Sequence, residues 1–543
     1  MKKLYRQVDV VMVTEAGFPF VKGGVGGVVD QTIKGMPDTS FGVIHISWDR
    51  QTAASLKYLL PNNLLWVFPV YLSPSELDGK NMLRPLGKWW RSSTEDRAVT
   101  KLFFDGLDSA NGGNFLALTE FFFDFVNPET RRQNFWSVCT TREFLIEFEA
   151  RFFCFDMPLT ETFWLTRNFF SLAYAMSRHR YPSGKIYHSQ TQLYAGAIAA
   201  IASLQNDRPM VLTEHSLNVR DSINYIFASN HSAGVKSAWQ HWFRVLGLFV
   251  YQHASGVSYQ YQRNVNDATL YGLRPEKVKM ISNGIRPSDF DVAKEKQKLR
   301  NSLDTENVGL RIWTISYVGR IIEAKGILDL IQAAVILQDT ANFSFVLHLI
   351  GPADGSEDFK ATCEQVISQA NLQTTVRFRG AMDLTVALGE VDIVILPSHA
   401  EALPIVLLEA MAASVPIIAT DVGAISQVIS DAIDAAGVQI GAAGIIVPPK
   451  SPEDLARAIV RLVKNQTLRA EFRANGPKRI DHSHRAKNVM QAYAEFYQAA
   501  TFLQKEKYSG KDAIRKPTHA NQTDPVADIK RTTRLNVSNE MDC

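Results

Sequence analysis

A chain of 543 residues is too long for a single hydrophobic core, so two domains with excursions are expected. Its 46% hydrophobic and 21% charged residues are ordinary for a globular protein, and a net charge of +3 gives no reason to expect nucleic acid as a partner. Four scattered cysteines (Cys139, Cys154, Cys363, Cys543) without a Cys/His cluster argue against a disulfide scaffold or a structural zinc site. No apolar run reaches the roughly 18–20 residues of a membrane span. The N-terminus carries no signal-peptide core, so a cytoplasmic location is expected.

In chain order, residues 8–13 read as a strand, followed by a glycine- and proline-rich loop to Gly27, a helix at 28–35 and a second strand at 42–47. Residues 75–175 read as a helical insertion in the first domain. Aromatic clusters at 121–125 and 152–155 recur among charges at helical spacing, and that stripe reads as packing rather than a ligand platform. Strands resume at 185–188 and 209–213, and the polar stretch 284–310, with Pro287, reads as an interdomain linker. From 312 onward, strands at 313–318, 345–350, 376–378, 392–396, 416–420 and 444–447 alternate with helices such as 327–338, 358–369 and 452–463. Short buried strands alternating with amphipathic helices predict a doubly wound parallel sheet, in which sites gather at the C-terminal ends of strands. The predicted layout is a first domain over 1–285, a second over 286–483, a helix at 484–504 and a disordered polar tail over 505–543.

Several motifs carry chemistry. Gly23 and Gly24 open the run Gly23-Gly-Val-Gly-Gly27 between the first strand and helix. Backbone N–H groups can meet an anion closely there, although a plain tight turn is the equal alternative. Arg320 closes a strand and Lys325 precedes the next helix, a placement from which two cations can neutralise a diphosphate. Glu401 follows another strand, Pro404 suits a first helical turn, and Glu409 lies just inside that helix. The N–H groups of Leu403 and Ile405 would face the crevice, and the two carboxylates could hold sugar and ribose hydroxyls; alternatively, Glu401 only satisfies the helix start. His188 and His215 fall at strand ends and are candidate crevice residues, whereas His45, inside a strand, reads as core. Asp289-Phe-Asp291 has metal-motif spacing but reads as a loop start or helix cap, and no metal and no other cofactor is expected.

Together these motifs resemble the retaining family 4 glycosyltransferases of GT-B fold, with two Rossmann-like domains facing across a cleft. The resemblance rests on Ser282-Asn-Gly-Ile285, Tyr317 through Gly326, His348-Leu-Ile-Gly-Pro352, Glu401 through Glu409 and Ala419-Thr-Asp-Val-Gly423. In the first half, Pro19 through Val25, Tyr194-Ala-Gly196 and Leu212-Thr-Glu-His215, with Arg220 shortly after, resemble the PelF-like exopolysaccharide branch. The resemblance implies a metal-independent enzyme whose partners are a nucleotide sugar, UDP-glucose in that branch, and a glycan acceptor. Docking on a membrane-bound polysaccharide synthesis complex is a further expectation. Arg320 and Lys325 would hold the diphosphate, Glu401 the donor sugar and Glu409 the ribose. Gly23 and Gly24 would close the crevice, and His188, His215, Arg220 and Asn283 would contact substrate. Two departures fall in the first half: Gly26-Gly-Val-Val29 replaces a Ser-Ser-Trp continuation, and Gln190 stands where a second histidine is common. A sugar-nucleotide epimerase and a non-catalytic nucleotide-sugar-binding component are the alternatives.

Overall fold

The computed structural model describes residues 5–52, 55–76, 93–111, 114, 121, 141–152, 158–302, 311–353, 355–430 and 439–509. Strands β1 (Val8–Glu15), β2 (Phe41–Ser47), β3 (Leu64–Tyr71), β4 (Gly184–Ser189), β5 (Met210–Glu214), β6 (Gly256–Tyr259) and β7 (Val278–Met280) form one sheet in the order β3-β2-β1-β4-β5-β6-β7. β1 and β2 are buried almost throughout, as central parallel strands covered on both faces must be. β3 lies at the sheet edge, the one place where its Pro69 deprives no neighbour of a hydrogen bond.

A second sheet has the order β10-β9-β8-β11-β12-β13, built from β8 (Ile312–Val318), β9 (Ser344–Ile350), β10 (Val376–Gly380), β11 (Ile393–Leu396), β12 (Ile417–Thr420) and β13 (Gly444–Val447). Every ladder in both sheets is parallel. In each sheet the strand order reverses once, between β1 and β4 and between β8 and β11. Connections leave such a point in opposite directions, opening a crevice above the C-terminal strand ends.

The expected insertion contains helices Thr94–Asn111, Arg142–Phe152 and Leu159–Ser177. Phe103, Phe104, Phe121, Phe144, Phe148 and Phe169 are all buried in one cluster with Trp242, so the described part of the aromatic stripe is core packing. The rest of the 121–125 cluster and the side chains of 152–155 lie outside the described residues. The stretch 284–310 differs from a simple spacer. Pro287–Phe290 forms a short 3-10 turn and Asp291–Ser302 a helix seated on helix Leu384–Glu390. The buried Gln297 donates from Nε2 to the carbonyls of Leu388 (2.6 Å) and Val391 (2.7 Å). Arg300 and Arg311 each reach the buried Asp392 carboxylate at 2.9 Å. Polar composition hid the helix because its buried face is an alanine and a glutamine. Asp289 pairs with Arg286 at 3.2 Å and Asp291 begins the helix.

The last helix, Ala486–Ser509, leaves the second sheet and packs on the first, burying Met490, Tyr493, Phe496, Tyr497 and Ala500. That spacing is one face of a helix. It extends to Ser509, past the Lys505 at which the composition thins; the remainder of the expected tail lies outside the described residues. Among the described residues no helix is long and apolar enough to cross a membrane.

Candidate functional site

The reversal point of the second sheet collects the charged residues. β8 ends in a turn held by the buried Tyr317, whose hydroxyl donates to the Arg320 carbonyl at 2.7 Å. One 3-10 turn, Glu323–Lys325, follows and ends at Gly326, where φ is +66°. A Cβ at Gly326 would sit 2.0 Å from the Pro397 carbonyl oxygen, so only glycine lets the turn after β8 lie against the segment after β11. The two segments are further joined by the His399 N–H on the Ala324 carbonyl (2.9 Å) and the His399 ring on Asp329 (2.7 Å).

On that platform the Lys325 ammonium forms an ion pair with the Glu401 carboxylate, which also accepts from the Ser398 hydroxyl at 2.9 Å. Thr420 fixes Ser398 from below, donating to its carbonyl at 2.6 Å. Gly423, at φ +59°, lets the next loop approach so closely that a Cβ would lie 2.2 Å from the Glu401 carbonyl oxygen. The Arg320 side chain is exposed and, among the described residues, forms no ion pair.

Helix Ile405–Ala412 begins beside Glu401, with Pro404 as its cap residue and Leu403 buried before it. The first N–H groups of a helix have no intrahelical acceptor, so those of Ile405 and its neighbour remain available. Glu409 sits in this helix with its carboxyl pushed up to about 7 by burial, and among the described residues no cation or hydrogen bond offsets that rise. A carboxyl so placed is poised to accept hydroxyl groups brought by a ligand.

The native state therefore keeps the Glu409 proton where an unfolded chain, with its carboxyl near 4.5, has released it. Its contribution to stability is present at low pH and is lost as pH rises from about 4.5 to about 7. Glu409→Gln removes this loss, so the melting temperature of the variant relative to wild type is expected to rise across that window and then level off. The gain is at most about 3 kcal/mol, and thermal melts of the ligand-free protein over a pH series would measure it. A pH-independent difference would show that Glu409 ionises normally.

In the first domain, helix Gly24–Gly35 starts within the glycine run. A Cβ at Gly23 or Gly24 would meet no atom within 4 Å, but the Gly23 N–H, expected to meet an anion, donates to the Tyr58 hydroxyl at 3.3 Å. His215 is held between Gln190 (Oε1 to Nε2, 3.2 Å) and Gln260 (Nε2 to Nδ1, 2.9 Å), and burial lowers it to about 4. His188 differs from the expectation of a crevice residue. It is wholly buried, with its ring nitrogens 2.7 Å from the Tyr497 and Thr213 hydroxyls and with Gln190 also within reach. Its side chain lies on the same sheet face as Ile186, and the last helix covers that face. Arg220 pairs with Asp221 and Asp267, both at 3.1 Å. Asn283, also buried, donates to the Leu403 carbonyl at 3.4 Å, tying the crossover between sheets to the Glu401–Glu409 segment. The structure thus brings Lys325 to Glu401 and Asn283 to Leu403. Among the described residues, no hydrogen bond or ion pair joins Gly23, Gly24, His215 or Arg220 to Arg320, Lys325, Glu401 or Glu409.

Residues 306–479 match the family described as glycosyl transferases group 1. That match falls on the second domain. Residues 8–276 match a domain of unknown function, DUF3492. An uncharacterised glycosyltransferase of Methanocaldococcus jannaschii is 28% identical over 238 residues, 43% of this chain and 56% of that protein. The putative teichuronic acid biosynthesis glycosyltransferase TuaC of Bacillus subtilis is 28% identical over 296 residues, 54% of this chain and 64% of that protein. The chain therefore spans less than two thirds of either relative. The crystal structure of Anabaena HepE in complex with UDP-glucose superposes with a TM-score of 0.53 at 16% identity, covering 91% of this chain and all of that one. That likeness shows the fold, which is GT-B.

Within the second domain, the sequence had given no individual role to Ser398, His399, Thr420 or Tyr317. They position the charged groups, and only their places at the ends of β8, β11 and β12 could have suggested them. A separate open depression of about 350 Å³ between Lys294 and Arg473 lies at the opposite, N-terminal edge of this sheet.

Proposed function

We propose that the protein is a retaining glycosyltransferase that moves a hexose from UDP-glucose or a related UDP-sugar to a glycan acceptor. One arrangement supports this reading: Arg320 and the Lys325–Glu401 ion pair follow β8 and β11, the strands at the reversal point of the second sheet, and Glu409, whose carboxyl has no hydrogen bond or ion pair among the described residues, lies in the helix that begins beside Glu401. Two cations and two carboxylates in that space complement a diphosphate flanked by two hydroxyl-bearing rings. An arriving diphosphate would replace Glu401 as the counter-charge of Lys325, freeing Glu401 for the donor sugar, while Glu409 takes the ribose.

The anomeric carbon–oxygen bond then breaks, and its electron pair leaves with the diphosphate. Arg320 and Lys325 stabilise the negative charge that develops there, work that would otherwise fall to a metal ion. The acceptor hydroxyl bonds to the same face of the anomeric carbon and passes its proton to a β-phosphate oxygen, so configuration is retained. TuaC supports a role in polysaccharide assembly. The PelF-like motifs of the first half support exopolysaccharide synthesis in the cytoplasm, with docking on a membrane-bound synthesis complex.

The test is direct. UDP-glucose should raise the melting temperature in the presence of EDTA, because a ligand that binds only the folded state stabilises it. Adding an acceptor glycan should then yield a glycoside with the donor's anomeric configuration. An epimerised nucleotide sugar would move the protein to the epimerases. Binding without turnover would make it a non-catalytic component, and no binding at all would end the donor assignment.

A further inference from the structure

The first sheet has its own reversal point, between β1 and β4, and a cavity of about 430 Å³ lies over it. Glu15 at the end of β1, Trp48 after β2, Pro74 after β3 and Tyr194 after β4 line it, and Trp239 closes it from helix Ala233–His253. The volume falls in the range of small-ligand pockets, about 300–1,000 Å³. Of the motifs read from the sequence, only Tyr194-Ala-Gly196 reaches it, through Tyr194.

Its walls are specific. Trp48 is 55% exposed, an unusual state for so large an apolar ring unless something covers it. Trp239 is half-buried on the far side. Indole faces offer broad, rigid apolar area and suit ligands that are apolar on one side and hydroxylated at the edge. Among the described residues, no Lys, Arg or His lines the cavity. Its titratable groups are Glu15 and Tyr194: burial pushes the Glu15 carboxyl up to about 7, the Ala195 N–H opposing, and raises the Tyr194 hydroxyl well above its ordinary range.

We infer that this cavity binds the end of the acceptor, as one or two uncharged hexose units laid against Trp48 and Trp239 with their hydroxyls on Glu15. The inference rests on the transferase reading for the word acceptor; the sugar site itself stands on the cavity. A uronic acid or phosphorylated sugar is disfavoured, because its charge would be desolvated beside a carboxyl with no cation to meet it.

Saturation-transfer NMR and tryptophan fluorescence on the full chain, with a panel of neutral glucose disaccharides and a glucuronate-containing disaccharide, test this. At least one neutral disaccharide should bind and the glucuronate should not. Trp48→Ala, a change at an exposed side chain that should leave the fold intact, is expected to weaken that binding about tenfold, the scale of one lost aromatic contact. The UDP-glucose melting shift of the same variant should match wild type. Binding of the neutral sugar unchanged by Trp48→Ala, equal binding of the glucuronate, or no binding of any neutral disaccharide would each overturn the inference. Failure of the transferase reading shows separately, as absence of the UDP-glucose shift with neutral-sugar binding intact.

Discussion

Arg320→Ala is expected to lower the rate of sugar transfer about 100- to 1,000-fold, the usual cost of removing one group aimed at developing charge. Its melting temperature should not change. Arg320 is exposed and forms no ion pair among the described residues, so its removal strands no partner. Surface substitutions of that kind stay within about 0.5 kcal/mol. Lys325 is the poorer choice for this experiment, because Lys325→Ala would leave the part-buried Glu401 without its cation and mix a folding cost with a catalytic one. Single-turnover rates for Arg320→Ala at saturating UDP-glucose, set beside melting curves, separate the two. Transfer at the wild-type rate would remove Arg320 from the site.

Gly326→Ala should damage fold and site together. The residue has φ +66°, and an added Cβ would lie 2.0 Å from the Pro397 carbonyl oxygen. Backbone strain and a backbone clash cannot both be relieved without parting the turn after β8 from the segment after β11. A loss of roughly 2–4 kcal/mol is expected, with the UDP-glucose melting shift abolished because the parted segments no longer present Lys325 and Glu401 to one ligand. Gly355→Ala is the control: φ is +74° there but nothing lies within 4 Å of the added atom. It should cost only about 1 kcal/mol and keep the nucleotide response. Equal behaviour of the two variants would mean that the close approach at Gly326 does not matter.

The second domain was legible almost strand by strand, because a buried parallel strand is a short apolar run and helices of alternating character separate such runs. Residues 444–447 were read with the bounds the structure has, and the others shift by a residue or two at their ends. The first sheet was read less completely. β3 carries Pro69 and exposes Leu65, so it lacks the signature of a buried strand; β6 and β7 are too short to stand out. Helix Asp291–Ser302 escaped notice because it buries glutamine where a hydrophobic residue is expected. At the site, the residue types after β8 and β11 were visible in one dimension. The direct pairing of Lys325 with Glu401 was not, since it depends on the close approach at Gly326. His188 shows the converse limit: a strand end says where a side chain emerges and not what a helix more than 300 residues later lays over it.

The return of helix Ala486–Ser509 to the first sheet makes the second domain an insert within the first. The chain leaves the first domain at Ile285 and re-enters at Arg485, and these two residues form a β-bridge. The Ile285 N–H reaches the His484 carbonyl at 2.9 Å, and the Ala486 N–H reaches the Ile285 carbonyl at 2.8 Å. Both seams are therefore at one point in space. The second domain of a relative could be grafted by two cuts at that point, with every residue around the Trp48 cavity untouched. A fragment cut after residue 285 would instead lose the helix that covers His188, and could not be taken as a faithful half of the molecule.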